Sequence, residues 1–136
     1  MADYTIKTTL NEPYGTAVEG VRAALVEQGF GILTEIDLKS TLKTKLDVDV
    51  APQVILGACR PALAYEALTA EPSIAAVLPC NVVVRAVDDA TTIVEAFDPD
   101  AMMGLADNSA LHSVAADAKQ RITAALAALD SPEGDN

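Results

Sequence analysis

Residues 53–84, QVILGACRPALAYEALTAEPSIAAVLPCNVVV, decide the fold and contain both cysteines of the chain, Cys59 and Cys80. Two β-rich runs, QVILGAC and CNVVV, enclose a segment rich in Ala and Leu that begins at Pro61. Proline is favoured at the first position of a helix, and Pro72 cannot continue one. The stretch therefore predicts a strand, a helix and a strand, with Cys59 at the strand-to-helix junction and Cys80 at the start of the second strand.

Upstream of this stretch, the sequence predicts two strands and two helices, over residues 4–10, 16–28, 30–36 and 38–46. Thr16 and Glu19 have the spacing of a capping box, and Gly29 can supply the left-handed residue that ends many helices. Asp37 is placed to cap the second helix. Because both faces of residues 30–36 are largely apolar, we expect that strand to lie inside the sheet.

Downstream, residues 81–87 and 91–97 predict a β-hairpin, 98–108 a loop, and Ser109 the start of the longest helix. An apolar stripe marks that helix: Leu111, Val114, Ala118, Ile122, Leu126 and Leu129. The order is β-α-β-α-β-α-β-β-α. It predicts a single α+β domain over residues 1–129, with one mixed or antiparallel sheet of about five strands and helices on one face. Residues 130–136 form a short polar tail that we expect to be disordered.

Charge and composition exclude several classes of partner. Among 136 residues, 20 acidic against 9 basic side chains give a net charge of −11, which repels phosphate backbones and anionic lipids. We therefore expect no nucleic-acid and no membrane partner. The chain has no long apolar run and no leader pattern at its N-terminus, so we expect a soluble cytoplasmic protein, whose cysteines are free thiols.

The pattern GACRP, a helix and then LPCNVVV, preceded by GFGILTEIDLKSTLKTKL, resembles domain-of-unknown-function family 302. The resemblance covers nearly the whole domain and includes Asp37, Lys45 and the pair Asp98-Pro99. It implies a small α+β domain that forms homodimers, and it implies no agreed reaction, substrate or catalytic residue. Arg60 stands where the resemblance leads one to expect Asn.

The two cysteines are the only candidates for thiol chemistry. Cys59 precedes a predicted helix whose free N–H groups and dipole can lower a thiol pKa, and Arg60 adds positive charge. The interpretation that we favour for Cys59 is nevertheless a small buried side chain at a tight turn, and a core position is the main expectation for Cys80. A parallel crossover between their strands, the arrangement we favour, would separate them by roughly 20 Å, whereas antiparallel strands would bring them to one end.

No metal or cofactor is expected, and no complete catalytic centre can be assembled from the sequence beyond the candidates Cys59 and Cys80. Two cysteines and the single histidine, His112, are too few for a structural zinc site unless two chains pool their sulfurs. No nucleophile motif, phosphate loop or dinucleotide fingerprint is present, so an enzyme is not the expected class. Arg60, at the helix start, and Lys45 are candidates for a pocket that binds a small anion.

Three functions remain open at this point. The leading one is an accessory or ligand-binding module, as a homodimer, without enzymatic activity. The second is a thiol-dependent redox or sulfur-transfer protein that uses Cys59, with Cys80 as a resolving thiol. The third is a dimeric protein-interaction module.

Overall fold

The computed structural model describes residues 4–129 of the chain. Within them, five strands, five α-helices and two 3₁₀ helices follow one another in this order: β1 (Thr5–Leu10), α1 (Tyr14–Glu27), β2 (Gly31–Asp37), α2 (Leu38–Leu46), β3 (Gln53–Cys59), α3 (Pro61–Ala70), a 3₁₀ helix (Pro72–Val77), β4 (Cys80–Asp88), β5 (Thr91–Phe97), α4 (Pro99–Leu105), a 3₁₀ helix (Ser109–Leu111) and α5 (His112–Leu129).

The five strands form one open sheet in the order β1-β5-β4-β3-β2, and every neighbouring pair is antiparallel. The predicted α+β class is confirmed. The parallel crossover favoured for β3 and β4 is wrong, because α3 and the following 3₁₀ helix together return the chain to the end of the sheet from which it left. In the resulting register, Ala58 pairs directly with Cys80.

Strand β2 lies at an edge of the sheet, so its predicted interior position is also wrong. The exposure of its side chains agrees with an edge position, since Leu33 is 64% exposed and Ile36 is 45% exposed. The register shifts between Ile32 and Thr34, which places Leu33 in an irregularity of the strand. The apolar residues on both faces of β2 therefore do not indicate a central strand, and several of them are exposed.

Some of the predicted helix ends are found in the structure and one is not. The carboxylate of Asp37 accepts a hydrogen bond of 2.9 Å from the backbone N–H of Ser40, and Gly29 has a φ of 88° after α1, as predicted. The predicted capping box at Thr16 is wrong, because α1 already begins at Tyr14 after Pro13 and no side chain caps it. Proline supplies an extended residue at that position, which sets the start of the helix without a hydrogen bond.

The predicted loop over residues 98–108 contains the helix α4. Asp98 accounts for it, because its carboxylate accepts a 2.9 Å hydrogen bond from the backbone N–H of Asp100. Pro99 follows as the first helical residue and is fully buried. Lys119 of α5 then binds the carboxylates of both Asp98, at 3.3 Å, and Asp100, at 2.8 Å. The Asp98-Pro99 pair thus starts a helix and ties it to α5.

Two apolar clusters form the interior, and the α5 stripe contributes to both. Helices α1 and α5 pack against one face of the sheet to form the first cluster, which we call the sheet core: Leu10, Ala17, Val21, Leu25, Phe30, Val54, Leu56, Ala58, Cys80, Val82, Val84, Val94, Ala96, Ile122, Ala125 and Leu126. The second lies beneath α3 and is called the α3 core: Leu63, Ala67, Ile74, Leu111, Val114 and Ala118. The hairpin β4–β5 is present as predicted, whereas the predicted tail lies outside the described residues.

Gly57 allows a close approach in the centre of the sheet. A β-carbon placed on Gly57 would collide with the hydroxyl oxygen of Thr34 and would lie 2.8 Å from Pro79 Cγ. Thr34 is its partner on β2, and Pro79 directly precedes β4. Because Gly57 has no side chain, Thr34 of β2 and Pro79 before β4 can both pack directly against the backbone of β3.

We predict that Gly57→Ala lowers the free energy of unfolding by about 2 kcal/mol, since a buried overpacked site costs roughly 1–3 kcal/mol. Gly15→Ala is the matched control, because a β-carbon at Gly15 of α1 meets nothing within 4 Å. That control variant should be as stable as the unmodified protein or more stable. Urea denaturation measures both, and equal stabilities of the two variants would contradict the steric role of Gly57.

Candidate functional site

Both cysteines lie at the same end of the sheet. Cys59 is the last residue of β3, Cys80 is the first of β4, and the Ala58–Cys80 pair places them one residue out of register. Both are free thiols. The antiparallel alternative is therefore the correct one, and the two cysteines are not separated by the length of a strand, as parallel strands would require.

The two cysteines line one small cavity, with a volume of about 30 Å³. It lies at the seam between the two clusters, because Phe30, Ala58 and Cys80 belong to the sheet core, whereas Leu63, Ala67, Val114 and Ala118 belong to the α3 core. Its volume holds one or two water-sized particles. Apart from the two thiols and Arg60, every side chain in its lining is a hydrocarbon.

Among the described residues that line this cavity, only Arg60 carries a charge. Its Nε is buried and has no hydrogen-bond partner among the described residues, and none of the ion pairs between those residues includes it. The side chain packs on Gly29, where an added β-carbon would lie 2.9 Å from Arg60 Nε. Gly29 was predicted only as a helix end, so its second role as the surface under Arg60 was missed.

The surroundings hold both thiols in their protonated form. Burial, and then the charge of Cys59, raise the pKa of Cys80 to about 11. Burial also raises the pKa of Cys59, in the direction opposite to that expected at a helix start. The physical reason is that the first helical residue, Pro61, has no N–H to offer, while hydrocarbon walls withdraw water from the thiols.

Other predicted candidates lie elsewhere. Lys45 is exposed on α2 and is not among the residues that line the cavity, so the structure does not bring it together with Arg60 there. His112 is exposed at the start of α5. Asp47 and Asp49 both pair with Lys43 at the surface. Within residues 4–129, no group of three or more His, Cys, Asp or Glu side chains is arranged to hold a metal ion.

The raised pKa of Cys80 predicts a loss of stability at alkaline pH. The unfolded chain releases this proton near the ordinary thiol pKa, about 8.5, whereas the folded chain retains it until about 11. The stabilisation is thus complete below pH ~8.5 and is lost as the pH rises through that window, at up to about 1.4 kcal/mol per pH unit. As the pH rises through this window, the free energy of unfolding should therefore fall by about 3 kcal/mol less for Cys80→Ala than for the unmodified protein, as measured by urea denaturation. Parallel pH profiles would contradict the assignment.

Comparisons with known proteins agree with this architecture. A search of curated proteins found no match. The crystal structure of an uncharacterised conserved DUF302 protein from Bacillus stearothermophilus is similar to this chain, with a TM-score of 0.83 and 28% sequence identity over 92% of this chain and 97% of the other. The sequence model described as domain of unknown function DUF302 matches residues 6–129. The chain therefore belongs to the DUF302 family, whose function is unknown.

Proposed function

We propose that this protein is a ligand-binding module whose site is the cavity between Cys59, Cys80 and Arg60, and whose ligand is small and carries negative charge beside Arg60. The observation that supports it is the buried Arg60 Nε without a partner among the described residues. A buried donor left unpaired costs about 1–3 kcal/mol, and native structures rarely keep one without a reason. An acceptor atom of a ligand would remove that cost.

Binding fits the cavity better than thiol catalysis does. The thiolate is the nucleophile in cysteine chemistry, and reactive cysteines have lowered pKa values. Here burial raises the pKa of both Cys59 and Cys80, so the thiols remain protonated near neutral pH while the cavity is apolar. A redox role for Cys59 therefore needs an activating group beyond this lining.

A small monovalent anion tests the site directly. We predict that crystals grown with bromide show an anomalous difference peak in the cavity beside Arg60 Nε, because this N–H and the guanidinium charge have no partner there among residues 4–129. Arg60→Gln should abolish the peak, and Arg60→Lys should weaken it, since the ammonium group keeps the charge without the fixed N–H.

Arg22→Gln serves as the matched control, because Arg22 is engaged with Glu35 at 2.5 Å and does not line the cavity. Its crystals should keep the bromide peak. A peak that persists in Arg60→Gln, or is absent from the unmodified protein, would rule out an anion-binding role for Arg60.

We also infer that the protein is a homodimer in the cytoplasm. The free thiols suit a reducing compartment. Strand β2 supports the dimer, because it lies at the edge of the sheet and carries the exposed side chains of Leu33 and Ile36. A second copy of the chain that pairs with β2 would cover this edge and satisfy its free backbone groups.

Light scattering should accordingly give a molar mass near 28.2 kDa, twice the 14.1 kDa of one chain. Leu33→Lys should shift the mass toward the monomer, because a charged side chain on an edge strand opposes pairing. Val26→Lys is the control, since Val26 is similarly exposed, at 62%, but lies on α1. A monomeric mass for the unmodified protein would contradict the dimer.

A further inference from the structure

We propose that the cavity binds a short-chain carboxylate, with the carboxylate group beside Arg60 at the start of α3 and an alkyl tail of one or two carbons among the apolar residues of the lining. The place of the site and the negative charge of the ligand rest on the proposed function. The chemical class of the ligand and the length of its tail follow from the lining and the size of the cavity.

The polar end of the cavity lies where β3 passes into α3. Arg60 belongs to the lining, and its buried Nε has no partner among the described residues. The first backbone hydrogen bond of α3 runs from the N–H of Ala64 to the oxygen of Arg60, at 3.0 Å, so the N–H groups of Ala62 and Leu63 precede the first intrahelical bond. An anion at this end can accept from Arg60 Nε and lies at the positive end of the helix dipole.

The apolar end of the cavity lies between two helices. Three alanines form part of it, Ala64 and Ala67 from α3 and Ala118 from α5. An alanine side chain extends only one carbon from the backbone, so the helices leave a hollow that larger side chains would fill. Larger apolar residues complete the wall: Phe30, Leu63, Leu78 and Val114. A hydrocarbon tail gives up no hydrogen bond when it enters such a hollow, whereas a polar one does.

This combination of a guanidinium group with hydrocarbon walls favours a carboxylate over a phosphate. The planar fork of a guanidinium group matches both kinds of anion. A phosphate would turn further charged oxygens toward the apolar walls, where the described lining offers them no other cation. Burial raises the pKa of both Cys59 and Cys80, so near neutral pH neither sulfur carries a negative charge that would repel the carboxylate.

The size of the cavity limits the length of the tail. A volume of about 30 Å³ holds one or two water-sized particles, which corresponds to one or two carbon atoms. Acetate and propionate have tails of this length, formate has none, and butyrate and hexanoate exceed it. Each methylene group that enters the cavity strengthens binding about 4-fold, and a carbon that does not fit gives no such gain.

The test is a titration of the reduced full-length protein with the sodium salts of formate, acetate, propionate, butyrate and hexanoate, near neutral pH and at fixed ionic strength. NMR follows the Nε–H signal of Arg60. We expect a saturable shift, tightest binding for acetate or propionate, and binding of formate at least about 4-fold weaker. 1-Propanol, a neutral molecule of similar size, should bind at least about 10-fold more weakly than propionate, because it lacks the charge-assisted hydrogen bond.

Two variants assign the two ends of the ligand. Ala64→Val adds two carbons to a partly exposed position in the lining and should weaken propionate about 10-fold while formate binds as before. Ala116→Val is the matched control, since Ala116 is exposed on α5 and does not line the cavity, and it should bind propionate like the unmodified protein. Arg60→Gln should weaken every carboxylate at least about 10-fold, as measured by calorimetry. Circular dichroism verifies that each variant is folded.

Several results would overturn the inference. Tightest binding of butyrate or hexanoate would contradict the size limit, and equal binding of all five salts would contradict a role for the tail. Propionate binding that a folded Ala64→Val variant leaves unchanged would place the tail outside the cavity. Binding of 1-propanol as tight as that of propionate would contradict the recognition of a carboxylate.

The bromide experiment separates this inference from the proposed function. A bromide peak beside Arg60 without a preference for acetate or propionate would overturn the short-chain carboxylate and leave the anion-binding module intact. Loss of both the bromide peak and carboxylate binding would overturn the proposed function itself. A preference for acetate or propionate without a bromide peak would overturn the contact between the carboxylate and Arg60.

Discussion

The close contact of Thr34 and Pro79 with the backbone of Gly57 is the constraint on which the rest of the structure depends. It brings β2 and the start of β4 against the same residue of β3, where a side chain larger than that of glycine would overpack the contact. In the register that accompanies this contact, Ala58 lies opposite Cys80. The cavity and its two thiols follow from that register, since a shift of one residue would turn Cys80 away from the core.

Much of the fold could be predicted from local patterns, because those patterns act over short distances. The alternation of β5, the apolar stripe of α5, the cap at Asp37 and the left-handed Gly29 each depend on neighbours within a few residues. The direction of β4 and the edge position of β2 depend on contacts between distant segments, and no local pattern encodes them. The sequence did not predict helix α4, because Pro99 and Gly104 are typical of segments that interrupt helices. In the structure, Asp98 caps this helix and Lys119 of α5 binds the same carboxylate.

For the site, the sequence indicated the correct residues but the wrong electrostatics. Cys59 and Arg60 do lie at the start of α3, as the strand-to-helix junction predicts. Their environment, however, is set by Phe30, Leu78 and Val114, which come from three separate parts of the chain. Burial by such residues raises a thiol pKa more than a helix start that begins with proline can lower it. Only the three-dimensional arrangement reveals which effect dominates.

The position of Arg60 connects stability with binding. The structure keeps a buried guanidinium nitrogen without a partner among the described residues, and Gly29, in a conformation that most residues avoid, makes room for it. The unpaired Nε reduces the stability of the unliganded fold, because it carries a cost that a different residue at position 60 would remove. A ligand that accepts from Arg60 recovers part of this cost only when it is bound. Its binding therefore stabilises the folded state in proportion to ligand concentration, which is the thermodynamic property of a binding site rather than of a structural turn.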